Sequence, residues 1–353
     1  MTLANLTKLP LILMVGLCSC RNTSIPYTQS GNWVIQNPFG GSNRSEPVTF
    51  TIGNYAYVAG GWDGINRYND MWQLDPTGMG TWTQMASMPD SNRQGGSTAR
   101  SSAVGFSVNG EGYLGTGYDG FNYINDFWQF DPVADVFTQK ADFGGGPRFE
   151  AVGFGIGNYG YITTGFDGIN PLKDFWRYDP SSDSWTVKFG FGGEKRYAAV
   201  AFVRANRAYV VTGVDNGTAV SDFWRFDPSY PDSSSWYELN HITNFSTDKF
   251  DDSYNTITRW NGSAFVILGT DTSTDRAFVS TGENGSLIDY TWEYHFTPDL
   301  WDEKTPYQGA VRTGAIGISV QNRGFIGLGR NTVGALGDVW EFLPDEVQVL
   351  NGQ

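Results

Sequence analysis

The sequence predicts an all-β fold built from six similar repeats, and three observations lead to this prediction. The chain of 353 residues contains 45 glycines, 16% aromatic residues and only 17% charged residues, a composition typical of short strands and tight turns. A phrase of the form Asp-x-Trp, running on into Asp-Pro in most copies, recurs along the chain. No stretch places apolar residues at helical spacing over ten or more positions.

The tryptophan of that phrase measures the length of the repeat. Its copies, two of them looser than the rest, are Trp72, Trp128, Trp176, Trp224, Trp292 and Trp340. Three of the five intervals between successive copies are identical, and the first and fourth are longer. A constant interval with two insertions indicates a repeat architecture, which must be recognised before any other structural reasoning.

Each repeat contains four strand signals, named a to d here. In the third repeat they are residues 148–156, 160–165, 173–179 and 184–188. Asp179 opens the turn between c and d, and Pro180 presets its backbone there. Strand c carries apolar residues on both faces, so each sheet is expected to lie between two neighbouring sheets. The Asp-x-Trp phrase is therefore predicted to be structural, because identical seams require identical aromatic wedges.

The two ends of the chain are predicted to complete one sheet together. In three repeats one constant interval separates the strand-d aromatic from the arginine that opens the next strand a, and Trp33 keeps the same interval to Arg44. Residues 32–36 are thus a strand d with no strands ahead of it, while the last repeat, 312–343, has no convincing strand d. Pairing the two would close a ring of six sheets with no flat free edge. Residues 347–350 are the alternative source of that strand.

These features resemble kelch repeats, of the kind described as galactose oxidase-like in bacteria. The resemblance lies in a strand b that ends in Gly, an Asp-Gly turn, a strand c that runs into Asp-Pro and a strand-d Trp, over residues 32–343. It implies a six-bladed β-propeller of kelch type with four antiparallel strands per blade. The usual Gly-Gly doublet survives only at Gly60–Gly61, and three later blades read Thr-Gly.

The N-terminal residues are predicted to be a lipoprotein signal. Residues 9–17 form a short apolar run behind Lys8, and the following Leu17-Cys18-Ser19-Cys20 resembles a bacterial lipobox with Cys20 as the lipidated residue. We expect a signal peptide at 1–19, a tether at 20–31, the propeller at 32–343 and a tail at 344–353. The expected location is the bacterial cell envelope, lipid-anchored at the outer membrane or on the periplasmic side, with plain secretion as the alternative.

Charge and cysteine content narrow the classes of partner. Removal of residues 1–19 takes away one lysine, leaving 22 basic and 37 acidic residues and a net charge of −15. Such a surface repels nucleic acid and anionic lipid.

The galactose oxidase resemblance implies copper held by two histidines and two tyrosines, one of these cross-linked to a cysteine. With only His241 and His295, and no cysteine after Cys20, copper chemistry is excluded. No metal or other cofactor is expected, and the protein is expected to be a monomer.

Five arginines share one register at the start of strand a, and in kelch propellers this position lies at the mouth of the central channel. They are Arg44, Arg100, Arg148, Arg196 and Arg312, and Asn261 stands near the matching place in the fifth repeat. They could bind a carboxylate ligand through paired donors, or they could form ion pairs between blades with the repeated Asp.

Aromatic residues begin three of the turns between strands b and c: Trp62, Tyr118 and Phe166. These turns share one face with the connections from d to the next a, two of which are long, at 82–100 and 236–261. The second contains His241 and the acidic segment 246–254. The turn aromatics suit a sugar or peptide ligand, although they could merely pack on the neighbouring blade.

Two carboxylates, Glu46 and Glu150, each follow a register arginine by two residues. Pairing with that arginine is one reading, and a general acid or base at the channel is the other. The sequence therefore predicts a non-catalytic module that binds a glycan or an acidic peptide on the shared face. The alternative is an enzyme like the exported kelch epimerases or mutarotases that act on sialic acid, with Glu46 or Glu150 as acid or base.

Overall fold

The computed structural model describes residues 30–90, 97–243 and 254–348, and this part of the chain contains 26 β-strands. They form six four-stranded antiparallel sheets and one additional two-stranded hairpin. Within the described ranges no helix has the length and apolar character that a membrane crossing requires.

Each of the first three blades uses four consecutive strands, in the order a to d. Blade 1 contains β2 (Val48–Ile52), β3 (Tyr55–Ala59), β4 (Met71–Asp75) and β5 (Thr81–Met85). Blade 2 contains β6 (Val104–Val108), β7 (Glu111–Gly115), β8 (Phe127–Asp131) and β9 (Val136–Lys140). Blade 3 contains β10 (Val152–Ile156), β11 (Tyr159–Thr163), β12 (Phe175–Asp179) and β13 (Ser184–Lys188).

The other blades follow the same order with small variations. Blade 4 contains β14 (Val200–Arg204), β15 (Arg207–Val211), β18 (Phe223–Phe226) and β19 (Trp236–Glu238), with the hairpin β16 (Val214–Asp215) and β17 (Thr218–Ala219) in its b–c turn. Blade 5 contains β20 (Ser263–Ile267), β21 (Arg276–Ser280), β22 (Thr291–His295) and β23 (Leu300–Lys304). Blade 6 contains β24 (Ile316–Val320), β25 (Arg323–Gly327), β26 (Val339–Val347) and β1 (Ser30–Ile35).

The predicted six-bladed architecture is confirmed, including its closure by the N-terminal strand. β1 is the outer strand of blade 6 and pairs antiparallel with β26, with Trp33 opposite Phe342 and Ile35 opposite Trp340. β1 occupies the outer position for which 347–350 was the alternative, and β26 runs as one strand to Val347; residues 349–350 lie outside the described residues. Ordinary strand pairing across the two chain ends therefore holds the ring shut.

Aromatic side chains of strand c fill the seams between blades, as the repeated phrase predicted. Phe127 faces blade 3, where its ring centroid lies 4.9 Å from that of Tyr178. Trp128 and Phe130 face blade 1, and Phe130 lies 5.6 Å from Tyr57. All three strand-c rings are buried. Each such ring removes on the order of 150–250 Å² from water, so the seams bury a large apolar area.

Glycines in strand b allow the blades to approach closely. A Cβ atom on Gly160 would lie 2.1 Å from the ring of Phe106 in blade 2, and one on Gly112 would lie 2.3 Å from Phe50 in blade 1. These positions have no room for a side chain, because the phenyl ring of the preceding blade occupies it.

Candidate functional site

The register arginines are buried and bonded to the aspartates of the repeated phrase. In blade 2, Arg100 Nη1 and Nη2 donate to the two carboxylate oxygens of Asp126 over 2.6 and 2.9 Å. The same carboxylate accepts a hydrogen bond from Trp128 Nε1 at 3.2 Å. The Asp-x-Trp phrase is thus one half of a clamp, in which a single carboxylate holds both a guanidinium and an indole. The other pairs are Arg44–Asp70, Arg148–Asp174, Arg196–Asp222 and Arg312–Asp338.

This geometry favours the ion-pair reading of the register arginines over the ligand reading. Arg44, Arg100, Arg148, Arg196 and Arg312 are at most 1% exposed. Each pair also lies within one blade and not between blades, because the arginine precedes strand a and the aspartate precedes strand c of the same sheet. Four of the guanidiniums also stack on a ring of the preceding loop, at 4.8–5.0 Å from its centroid. The positive charge of each of these arginines is neutralised by an aspartate of its own blade.

Blade 5 has its own register arginine, Arg259, which the sequence argument missed. Its carbonyl oxygen accepts from Gly213 of blade 4, as the carbonyl of Arg148 accepts from Gly117. Its guanidinium donates to four backbone carbonyls instead of a carboxylate. Burial accordingly lowers the pKa of Arg259 to about 9. The expected break in the series at Asn261 was therefore wrong. The register arginine of this blade is Arg259, two residues earlier, and the count from Trp236 missed it because this d–a loop is longer than the others.

The residues two places after each register arginine form a ring around the channel axis. They are Glu46, Ser102, Glu150, Ala198, Asn261 and Gly314. All six have a positive φ, between 51° and 62°. Each backbone N–H donates to the carbonyl of the ring residue in the preceding blade, over 2.7–3.1 Å, and the sixth bond closes the circle. We call this set the axial ring.

Glu46 and Glu150 face the channel and not their neighbouring arginines. With Ser102 and Asn261 they line a cavity of about 160 Å³ on the axis, which we call the axial pocket. The expected pairing with Arg44 and Arg148 was wrong because it assumed strand alternation. Both glutamates precede the strands, which begin at Val48 and Val152, and the left-handed backbone turns their side chains to the axis.

The two glutamates have different surroundings. Glu46 Oε2 accepts from Ser102 Oγ at 2.7 Å, and its Oε1 lies 3.7 Å from Arg330 Nε. Glu150 accepts one long hydrogen bond, 3.4 Å, from Asn261 Nδ2. Enclosure by the ring raises the pKa of Glu150 to about 8, and the nearby Glu46 carboxylate adds to the shift. One carboxyl of the pair is therefore held protonated at neutral pH.

Aromatic side chains of blades 1 to 4 lie on the same face as the axial pocket, and we call this set the aromatic arc. It consists of Trp62, Tyr118, Tyr123, Phe149, Phe166 and Tyr197, all partly exposed. The three turn aromatics expected from the sequence belong to it, joined across blades by rings that the sequence argument overlooked. Tyr123 stacks on Phe149 at 5.1 Å, and Phe166 lies 5.2 Å from Tyr197. The rings thus pack on one another, as the structural alternative proposed, yet they still present faces to solvent.

Two of the overlooked rings of the arc, Phe149 and Tyr197, had a signal in the sequence. Phe149, Tyr197 and Trp260 each directly follow a register arginine, a position occupied by Ser or Thr in the other blades. In every blade this residue forms a backbone bridge with the first residue of the b–c turn, for example Phe149 with Phe166. The two positions therefore always lie side by side on the face.

A second cavity, a groove, lies between blades 1 and 6 on the same face. This radial groove has a volume of about 200 Å³, with Trp62 on one side and residues 330–335 on the other. Arg330 lines this groove, and its Nε lies 3.7 Å from Oε1 of Glu46, which lines the axial pocket. On the far side Glu283 accepts from Thr313 Oγ1 at 2.9 Å. Deeper along the axis, a channel of about 480 Å³ is lined by residues of all six strands a.

Other residues singled out in the sequence have local roles. The Asp63 carboxylate accepts backbone hydrogen bonds from Ile65 and Asn66, which closes the Asp-Gly turn. His241 contacts Glu238 at 2.9 Å beside the long loop of blade 5. Residues 246–253 of the acidic segment lie outside the described residues, and so does Cys20. Among the described residues, no group of three or more His, Cys, Asp or Glu side chains is arranged to hold a metal ion.

Comparison with known proteins agrees with the repeat pattern. Residues 43–89 and 156–188 match the Kelch motif. The solved structure titled "Structure of YjhT" has a TM-score of 0.65 with this chain at 14% sequence identity, covering 86% of this chain and 96% of that one. At this identity the likeness shows a shared fold and nothing more. No curated protein matches the sequence.

Proposed function

We propose that this six-bladed kelch propeller is a non-catalytic binding module that takes a glycan on the face of the b–c turns and d–a loops. The observation that carries the proposal is the aromatic arc, which shares one face with a polar pocket on the axis. Ligand sites commonly combine apolar and aromatic walls with a few convergent polar groups. A rigid ring of blades also holds these groups in place before the ligand arrives.

The chemistry of the face suits a sugar better than an acidic peptide. Aromatic rings can pack against the apolar faces of a pyranose, while Glu46, Glu150, Ser102 and Asn261 offer donors and acceptors to its hydroxyl groups. An acidic peptide would need free cations, but the register arginines are buried in their clamps. The sugar half of the earlier expectation therefore gains support, and the acidic-peptide half loses its basis.

The envelope location is part of the same proposal and rests on the N-terminal sequence alone. A lipid on Cys20, followed by a short tether, would hold the propeller close to a membrane surface where glycans are abundant. Because the sequence has no polybasic patch to attract anionic lipid, the lipid on Cys20 alone would anchor the protein. Metabolic labelling with an alkyne fatty acid, compared between the parent and Cys20→Ala, would test this separately from ligand binding.

Binding can be tested with an array of immobilised glycans and purified protein. We expect a hit that falls about tenfold or more in Phe149→Ala and in Tyr118→Ala, because truncation removes a stacking face. Tyr55→Ala is the matched control, since this tyrosine is exposed on an a–b turn at the opposite face. A hit that survives both arc variants, or that is lost equally in the control, would contradict the proposed face.

A second function is favoured by the paired carboxyls. A protonated Glu150 beside Glu46 could donate a proton to the ring oxygen of a sugar while Glu46 accepts one from the anomeric hydroxyl, as mutarotation requires. Exchange NMR on glucose, galactose and sialic acid would detect anomer interconversion above the uncatalysed rate. Catalysis that is abolished by Glu150→Gln would establish the enzyme, whereas binding without turnover would leave the module non-catalytic.

A further inference from the structure

We propose that the axial pocket selects the end of a glycan that carries a free amine, such as a 2-amino-2-deoxy sugar, over its N-acetylated or acidic counterparts. This rests on the proposed function, because the aromatic arc and the cavity define the site and the surrounding charges decide which sugar it prefers. The inference names the ligand class of the same face.

Acidic side chains outnumber basic ones around the pocket, and Glu150, which holds a proton in the free protein, can ionise when a cation binds. Glu46 and Glu150 line it, and Glu283 lies close enough to act on Glu150 electrostatically. Arg330 is the cation beside them, 3.7 Å from Glu46 and 41% exposed. Arg67 lies further out, stacked over the rings of Trp62 and Tyr118 at 5.5 and 4.6 Å. The six register arginines contribute little, because their guanidiniums are buried against aspartates or carbonyls.

Once Glu150 ionises, the hydrogen-bonding capacity left in the pocket is mainly that of acceptors. A carboxylate can accept about four hydrogen bonds. Among the described residues Glu150 receives only the long bond from Asn261 Nδ2, which leaves the amide oxygen of Asn261 available as well. An ammonium group is a compact donor of three hydrogen bonds, so it can satisfy Glu150, Glu46 and this amide together. A carboxylate ligand would instead meet Glu46 as a like charge, and its presence would oppose the ionisation of Glu150.

The volumes indicate how a longer chain would lie. The axial pocket, at about 160 Å³, is smaller than the roughly 300–1,000 Å³ typical of a site for a whole drug-sized ligand. It therefore suits one terminal group. The radial groove adds about 200 Å³ beyond Arg330, with Trp62 as a wall on which the next sugar ring can stack. The amine end would thus sit on the axis and the chain would leave between blades 1 and 6.

Calorimetry on the full propeller with three matched pentasaccharides tests the inference. The probes are β-1,4-linked glucosamine, its N-acetylated form and a galacturonic acid oligomer, at pH 5.5 where most of the amines are charged. We expect the amine probe to bind about tenfold or more tightly than the N-acetylated one, with the acid weakest. Binding should release protons, seen as a dependence of the heat on buffer, because a cation favours the ionised form of Glu150. Glu150→Gln should abolish this proton release.

The variants separate the two levels of the proposal. Glu46→Gln and Glu150→Gln should bring the affinities for the amine and N-acetylated probes together, whereas Phe149→Ala should weaken the binding of both probes. Equal affinity for the amine and N-acetylated probes, or a preference that survives in both variants, would overturn the inference and leave the glycan site intact. No binding of the amine probe would also overturn it. Failure of all glycans, on the array as in solution, would overturn the proposed function as well.

Discussion

Asp126→Ala is the sharpest test of the clamp that repeats through the blades. It would remove two hydrogen bonds from the buried Arg100 and one from Trp128. The guanidinium would keep its bonds to the carbonyls of Thr98 and Thr116 but would lie in the interior without a counter-charge. Removing one partner of a buried ion pair costs about 3–5 kcal/mol.

The size of the thermal shift follows from the size of the domain. At roughly 2.1 cal/mol/K per residue, about 320 residues give an unfolding entropy near 0.7 kcal/mol/K. A loss of about 4 kcal/mol should then lower Tm by about 6 °C if the ring unfolds as one unit. Chemical denaturation should show the same loss at an unchanged slope, because the surface exposed on unfolding stays the same.

Asp345→Ala provides the control for this experiment. Asp345 also makes a two-bond pair, with Arg276 at 2.8 and 3.0 Å, but its side chain is 80% exposed. Exposed pairs are worth about 0–1 kcal/mol, so the control should shift Tm by less than about 2 °C. Equal shifts in the two variants would refute the reasoning, because burial would then not be what makes the clamp matter.

The remaining predictions concern the closure, the seams and the axial ring. Trp33→Ala should cost about 3–5 kcal/mol in denaturant unfolding, whereas Ile35→Ala, on the exposed side of the same strand, should cost under about 1 kcal/mol; similar losses would contradict the role of closure. Gly160→Ala should destabilise by about 1–3 kcal/mol or more, because its Cβ would meet a ring carbon at 2.1 Å, while Gly334→Ala, with open space around it, should be neutral. Glu150→Gln should become progressively stabilising as pH rises from about 5 to about 8 and then level off. The raised pKa of Glu150 means that the folded state holds a proton that the unfolded chain has released in this range, so ionisation penalises the parent. Parallel Tm-against-pH curves for parent and variant would contradict this.

The repeat architecture could be predicted because the same physical demand is met six times. Each seam between blades needs an aromatic side chain to fill it, so Trp128 and its equivalents recur once in every repeat and reveal the number of blades. The closure could be predicted for the same reason, since Trp33 keeps the standard distance to Arg44 although its blade lies at the far end of the chain. The pairing of arginine with aspartate was one of two readings, and only burial could decide between them.

The site was harder to predict because it depends on backbone conformation. Nothing in the letters around Glu150 shows that its φ is positive, and strand alternation placed the side chain on the wrong side. Arg259 was missed because the d–a loop of blade 5 changes length, so counting from Trp236 did not locate it. Phe149 and Tyr197 looked like ordinary strand residues until the bridges to the b–c turns placed them on the face.

Because β1 pairs with β26, the ring can close only after almost the whole chain has been synthesised. Most of the chain lies between Ile35 and Val339, so the first strand is made long before its partner. At about 5–20 residues per second, β1 must wait roughly 15–60 s with Trp33 uncovered. During that interval it is a free strand that any exposed sheet edge could capture. A nascent chain of this protein therefore needs protection at its beginning until its end has been translated.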